Sequence, residues 1–143
     1  MKNTLRICAQ LSILSFMLIF GMSTVAWSRT YYVNGESGND SNSGTELTAA
    51  LKTIQAAANR MQSGDTCSVL PGNYYERITV NTSGTSSLPI SFKAEGSVIT
   101  RGFNVLGDYI RIEGFEITDT ISGHWRDGSG VYVEGKYCEI IDN

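Results

Sequence analysis

Past Gly64 the apolar residues come in pairs, two positions apart. The pairs are Cys67/Val69, Ile78/Val80, Ile90/Phe92, Phe103/Val105, Ile110/Ile112, Phe115/Ile117, Val131/Val133 and Cys138/Ile140. A period of two predicts short strands, each with one buried and one solvated face. Polar neighbours such as Arg111, Glu116 and Glu134 fall on the solvated side. Turn chemistry separates the strands: Pro71-Gly72, the Ser/Gly/Thr stretch from Ser83 to Ser87, Gly107-Asp108 and Glu113-Gly114. Glycine admits positive φ at such corners. Pro89 stands at a strand start, where a missing N–H leaves the ladder intact.

One spacing recurs. Gly107-Asp108-Tyr109-Ile110-Arg111-Ile112 returns 28 positions on as Gly135-Lys136-Tyr137-Cys138-Glu139-Ile140. The same offset carries Phe103/Val105 onto Val131/Val133. Repetition at such a period is the mark of a coiled β architecture. The pairs sort onto three walls. The first holds Cys67/Val69, Phe103/Val105 and Val131/Val133; the second Ile78/Val80, Ile110/Ile112 and Cys138/Ile140; the third Ile90/Phe92 and Phe115/Ile117. Three walls per turn, with rungs roughly 4.8 Å apart, describe an all-β fold, a parallel β-helix. Cys67 and Cys138 then lie on different walls two rungs apart, beyond disulfide reach, as buried small hydrophobes.

The pattern before Gly64 differs. Thr30-Tyr31-Tyr32-Val33 is a short β-prone strand, and Asn34 to Gly44 is a polar loop. A Ca²⁺-loop reading of that segment, around Asp40, fails on the missing spaced acids and terminal Glu, which favours an ordinary surface loop. Leu51, Ile54, Ala57, Ala58 and Met61 share one helical face, which predicts a short amphipathic helix over 53–62 with Gly64 as its stop. The first rung of a coil exposes an apolar end and an unpaired edge. A strand and helix laid over it would serve as a cap. The expected organisation is therefore 1–28 leader, 29–64 cap and 65–143 first rungs, about three, of an incomplete coil.

Residues 1–28 carry Lys2 and Arg6, then an apolar run from Leu11 to Phe20, then Ala26-Trp27-Ser28 as a small-x-small cleavage site. This is the pattern of a secretory signal peptide, and the run is short for a membrane span. The expectation is a secreted protein, extracellular, periplasmic or at the cell surface, with no anchor after cleavage. Loss of the two cations takes the net charge from −3 to −5. Without a basic stretch, nothing points to nucleic acid. Asn39-Asp40-Ser41 and Asn81-Thr82-Ser83 match a glycosylation sequon and are read as loop residues.

Candidate chemistry is sparse. His124, Trp125, Arg126 and Asp127 gather a donor, a ring, a cation and an acid on one loop, where Trp125 could stack on a sugar and Arg126 pair a carboxylate. The plainer reading is a solvated corner with Trp125 folded over the wall. The lone His has no partner at ligand spacing, so no metal site is expected there. Lys93 and Lys136 are outward or corner residues. Tyr109 and Tyr137 repeat at one phase, either as the stacked identical residues of a coil or as a sugar-stacking ladder.

A family resemblance rests on Tyr31-Tyr32-Val33, Lys52-Thr53-Ile54-Gln55, Gly64-Asp65-Thr66, Pro71-Gly72-Asn73-Tyr74, Pro89-Ile90 with Lys93-Ala94, and Tyr109-Ile110-Arg111-Ile112-Glu113-Gly114-Phe115. These resemble secreted right-handed parallel β-helix proteins of the pectate lyase-like superfamily, with polysaccharide lyase family nine the nearest look. The chondroitinase B and alginate lyase group looks similar over Pro89 to Phe115. Ala50-Leu51 stands where that family usually shows a Pro-aromatic pair. The resemblance implies action on an acidic, uronate-containing polysaccharide by β-elimination. A cation, often Ca²⁺, would neutralise the carboxylate while a Lys or Arg takes the α-proton. Family catalytic residues lie on later rungs, so none is carried onto this chain. Ca²⁺ is thus an expectation for a full-length form, and this stretch by itself is expected to be inactive. The alternative is a non-catalytic β-helix, a surface or glycan-binding module.

Overall fold

The computed structural model describes residues 27–118 and 128–143. The period-two pairs do become strands. In chain order the elements are β1 (Thr30–Val33), a 3-10 turn (Leu47–Ala49), α1 (Ile54–Ala58), β2 (Thr66–Val69), β3 (Gly72–Val80) and β4 (Ile90–Ala94). They continue with β5 (Val98–Val105), β6 (Ile110–Glu113), β7 (Glu116–Ile117), β8 (Val131–Val133) and β9 (Glu139–Ile141). The protein is mostly β, with little helix. Five strands form one sheet in the order β1-β2-β4-β6-β9; β3, β5 and β7 form the second, with β8 also on β5. Every ladder among the described residues is parallel. Parallel neighbours need long crossovers. Here a strand of one sheet serves as crossover for the other, from β2 through β3 to β4 and on to β6. Neither sheet closes on itself.

The second sheet is bent by its own sequence. β3 shifts register between Tyr74 and Arg77. Opposite that shift lies Gly102, with φ 113. A Cβ there would sit 1.9 Å from the carbonyl oxygen of Gly130, so only glycine fits. Each long strand thus has two halves. Gly72–Tyr74 pairs with Val98–Thr100, and Arg77–Val80 with Gly102–Val105. β7 continues the first half and β8 the second.

The core lies between the sheets. Cys67, Phe92 and Ile112 stack in register from the first, while Ile78 and Phe103, then Val80 and Val105, stack from the second. Phe92, Phe103 and Phe115 link them edge to face, with centroids 5.7 and 5.1 Å apart. Such pairs add about 0.5–1.5 kcal/mol each beyond burial.

The wall assignment needs correction for the early strands. Cys67/Val69 lies beside Phe92/Ala94, not Phe103/Val105. Ile78/Val80 lies beside Phe103/Val105, not Ile110/Ile112. Ile90/Phe92 lies beside Ile110/Ile112, not Phe115/Ile117. The 28-residue offset itself holds, in Phe103 to Val131 and Ile112 to Ile140. Apolar pairs are interchangeable by type and corner lengths vary freely, so a repeat read late in the chain does not fix spacings early in it. Cys67 and Cys138 correspondingly serve the same sheet. Both are free, Cys67 buried and Cys138 half-buried. From β2 to β9 is three strand spacings of about 4.8 Å, still beyond disulfide reach.

The helix is shorter than the sequence predicts. Thr53 caps it through its side-chain oxygen, which accepts from the Ala56 N–H at 3.1 Å. The chain leaves the helix at Asn59. Its expected apolar face is nonetheless buried: Leu51, Ile54, Ala57, Ala58 and Met61. No helix among the described residues is long and apolar enough to cross a membrane. Residues 1–26, which hold nearly all of the expected leader, lie outside the described residues.

Candidate functional site

His124, Trp125, Arg126 and Asp127 also lie outside the described residues, and only the flanks of their loop are placed. On the entering side, the Thr118 N–H donates to the Thr100 carbonyl at 2.9 Å. On the returning side, the Gly130 carbonyl accepts from the Phe103 N–H at 3.1 Å. Both flanks therefore rest on β5. Arg77 fixes the return: its guanidinium donates to the Ser129 carbonyl at 2.7 Å, the Arg101 carbonyl at 3.1 Å and the Asn104 side chain at 2.9 Å. A partly buried cation tying β3 and β5 to a loop foot was not singled out in the sequence. Its signal was available, since Arg77 follows an acid just before the apolar pair Ile78/Val80.

The carboxylates of the N-terminal part are committed to structure. Asp40 accepts from the Lys52 N–H at 2.8 Å, the Thr53 N–H at 2.9 Å and the Thr53 hydroxyl at 3.0 Å. Burial opposes its ionisation, but these bonds and nearby Arg60 outweigh burial and hold the carboxyl below its ordinary range. Glu76 accepts from the Ile54 N–H at 2.7 Å and the Gln55 N–H at 3.1 Å. Burial is the larger effect there, and with help from the Asp40 charge it raises the carboxyl above its ordinary range. Burial likewise pushes the Tyr74 phenol and the Cys67 thiol up, which leaves Cys67 inert as a nucleophile.

These groups do not form a seat for Ca²⁺. Asp40 is already occupied by its donors, and no group of three or more His, Cys, Asp or Glu gathers as a metal site among the described residues. Lys93 and Lys136 are exposed, on the outer side of β4 and at the corner before β9.

What does come together is an open groove on the outer side of the five-stranded sheet. It has a volume of about 170 Å³ and is lined by residues of the 85–89 corner, of β6 and β9, and by Tyr109 and Tyr137. The two tyrosine rings stack, with centroids 4.8 Å apart and planes 14° from parallel. Arg111 pairs with Glu113 and Glu139, both at 3.3 Å. These pairs are solvent-exposed and contribute little stability. The repeated tyrosine was legible in sequence, whereas the groove beside it depends on which corner abuts β6.

No protein-family model matches the chain, and no curated protein matches it. Among solved structures the chain is similar to pectate lyase Pel9A, at 28% identity and a TM-score of 0.61, covering 78% of this chain and 32% of that one. It is also similar to a rhamnogalacturonan lyase, at 26% identity and a TM-score of 0.56, covering 68% of this chain and 31% of that one. A GH136 lacto-N-biosidase from Eubacterium ramulus matches at 19% identity and a TM-score of 0.57, covering 78% of this chain and 27% of that one, and bears on the fold alone. The fold is thus like that of polysaccharide lyases, over a chain that spans less than a third of their length.

Proposed function

We propose that this chain forms the capped first turns of a right-handed parallel β-helix of the pectate lyase-like type, secreted and acting on uronate-containing polysaccharide. The observation that carries the proposal is the parallel pairing of two alternating sheets among the described residues, in a fold similar at 26% and 28% identity to two polysaccharide lyases. The cap is β1 with α1. The Gln55 side chain donates to the Thr79 carbonyl at 3.1 Å and accepts from the Thr79 N–H at 2.7 Å, taking the place of a neighbouring strand on the edge of β3. β-Elimination is proposed for a polypeptide of those lyases' length that carries this part, with any cation held by residues other than those described here.

A second reading is a glycan-binding β-helix without catalysis, in which the stacked rings of Tyr109 and Tyr137 beside the groove would meet sugar. The assay that separates the two follows the ultraviolet absorbance of unsaturated uronates from pectate, alginate and chondroitin with Ca²⁺ present. The 143-residue chain alone is expected to release none. Release by this chain would assign elimination to its own residues and point to the loop that holds His124, Trp125, Arg126 and Asp127.

A further inference from the structure

Asn34-Gly35 is the one place in the chain where glycine follows asparagine. That pair carries its own chemistry. The glycine nitrogen has no side chain to shield it and can attack the asparagine side-chain carbon, Cγ. The attack requires the Gly35 N–H proton to leave to hydroxide. An N–Cγ bond then forms, the Cγ–Nδ2 bond breaks, and ammonia departs with a proton taken from water. Water opens the resulting cyclic imide at either carbonyl, to aspartate or to isoaspartate. The net change consumes a water and releases an ammonia, and nothing is oxidised or reduced.

In the fold this reaction is opposed at its first step. The Gly35 N–H donates to the Tyr74 hydroxyl at 3.0 Å, and that hydroxyl donates to the Leu70 carbonyl at 2.9 Å. Tyr74 is 4% exposed, and its ring lies 3.1 Å from where a Cβ on Gly35 would stand. The proton that must leave thus faces a buried hydroxyl instead of water. Burial pushes the phenol up, so the hydroxyl stays neutral in mildly alkaline solution. The Asn34 side chain is held as well. Its Oδ1 accepts from the Glu36 N–H at 3.0 Å and the Ser37 N–H at 3.1 Å, which resists drawing Cγ onto the nitrogen. Those two bonds are local to the loop. Tyr74 is 39 positions from Gly35, on β3. Protection of Asn34 therefore depends on the loop after β1 staying seated on β3.

We propose that Asn34-Gly35 is a self-modification site that the Tyr74 hydroxyl keeps closed, and that it opens to deamidation when the loop after β1 parts from β3. Conversion to isoaspartate lengthens the main chain by a methylene in a loop with no space for it. A Cβ on Gly38 would already sit 2.1 Å from the Leu51 carbonyl oxygen and 2.4 Å from that of Asn34. The Asn34 N–H donates to the Leu51 carbonyl and the Asn34 carbonyl accepts from the Gly38 N–H, both at 2.8 Å. Both bonds lose their register, so the tie between β1 and Leu51 is weakened for good. The site lies wholly within this loop and β3 and stands independently of any action on polysaccharide.

The test incubates the 143-residue chain in mildly alkaline buffer and follows Asn34 by peptide mass spectrometry, with isoaspartate read by enzymatic methylation. The folded parent should convert Asn34 at least about ten-fold more slowly than the same chain in denaturant, as for a group exposed only by local opening. Tyr74→Phe keeps the ring and loses the hydroxyl. It should speed conversion about three- to ten-fold, the opening expected from one lost hydrogen bond. Amide exchange reads the same proton. The Gly35 amide should exchange faster in Tyr74→Phe by a similar factor, while the Asn34 amide, held by Leu51, keeps its protection. Should Tyr74→Phe not fold, the parent in urea below its unfolding transition takes its place, and Gly35 exchange and Asn34 conversion should rise together. The proposal is overturned by a folded parent that converts Asn34 as fast as the denatured chain, or by a folded Tyr74→Phe chain that converts it at the parent rate. It is equally overturned if both amides lose protection alike, or if exchange and conversion do not rise together.

Discussion

At the scale of single residues, Gly102 and Glu76 carry the clearest consequences. Gly102 combines φ 113 with a 1.9 Å approach of any Cβ to the Gly130 carbonyl. Backbone strain and overpacking together predict that Gly102→Ala costs about 2–4 kcal/mol. Denaturant unfolding checks it; a loss below about 0.5 kcal/mol, the size of an ordinary surface substitution, would contradict the bend described for β5. Glu76 makes stability depend on pH. Its folded carboxyl lies above the ordinary value of 4.5, so the folded state holds its proton more tightly. That contribution is present in full below 4.5 and is lost as pH rises through the raised folded value. Asp40 acts in the opposite sense. Its folded carboxyl lies below 3.8, so its contribution is present above 3.8 and is lost as pH falls through the lowered value. Glu76→Gln should therefore lose less stability than the parent as pH is raised from about 4 to about 7, the span of carboxylate titration. Parallel curves for the two chains over that span would contradict the assignment. Neither the bend nor this carboxyl was legible in sequence, because both depend on which strand lies alongside.

At the scale of elements, strand existence was legible and strand partnership was not. Each apolar pair singled out in the sequence lies in or beside a strand, since period two is a local property of the chain. Partnership is non-local. Phe92 could pair by type with Phe115 or with Ile112, and the structure selects Ile112, 20 positions on, with β5 as the crossover between them. The long β5 was read only in its second half, since Ile99 and Thr100 break the simple alternation before the bend. The joint between α1 and β3 offers a direct check. Gln55→Ala removes both bonds to the Thr79 backbone and leaves a partly buried N–H and carbonyl unpaired. The expected destabilisation is about 1–3 kcal/mol, read by thermal or denaturant unfolding. Stability equal to the parent would mean that α1 does not close this edge.

At the scale of the whole molecule, the parallel architecture follows from the sequence once the 28-residue return is noticed, and the solved lyases share the resulting fold. The candidate site divides differently. The residues with the most evident chemistry, His124 to Asp127, lie outside the described residues, and the groove emerged from two tyrosines that sequence alone could equally explain as stacking within a coil. The net charge of −3 gives no general attraction to an acidic polymer, so retention by such a polymer would report specific contacts rather than bulk electrostatics. That makes one measurement decisive for polysaccharide handling: migration of the 143-residue chain through native gels containing pectate or rhamnogalacturonan, with Ca²⁺ or with chelator, against a blank gel. The account predicts slower migration in at least one polysaccharide gel, reversed by adding the same polysaccharide in solution. Identical migration in every gel, under both conditions, would contradict it.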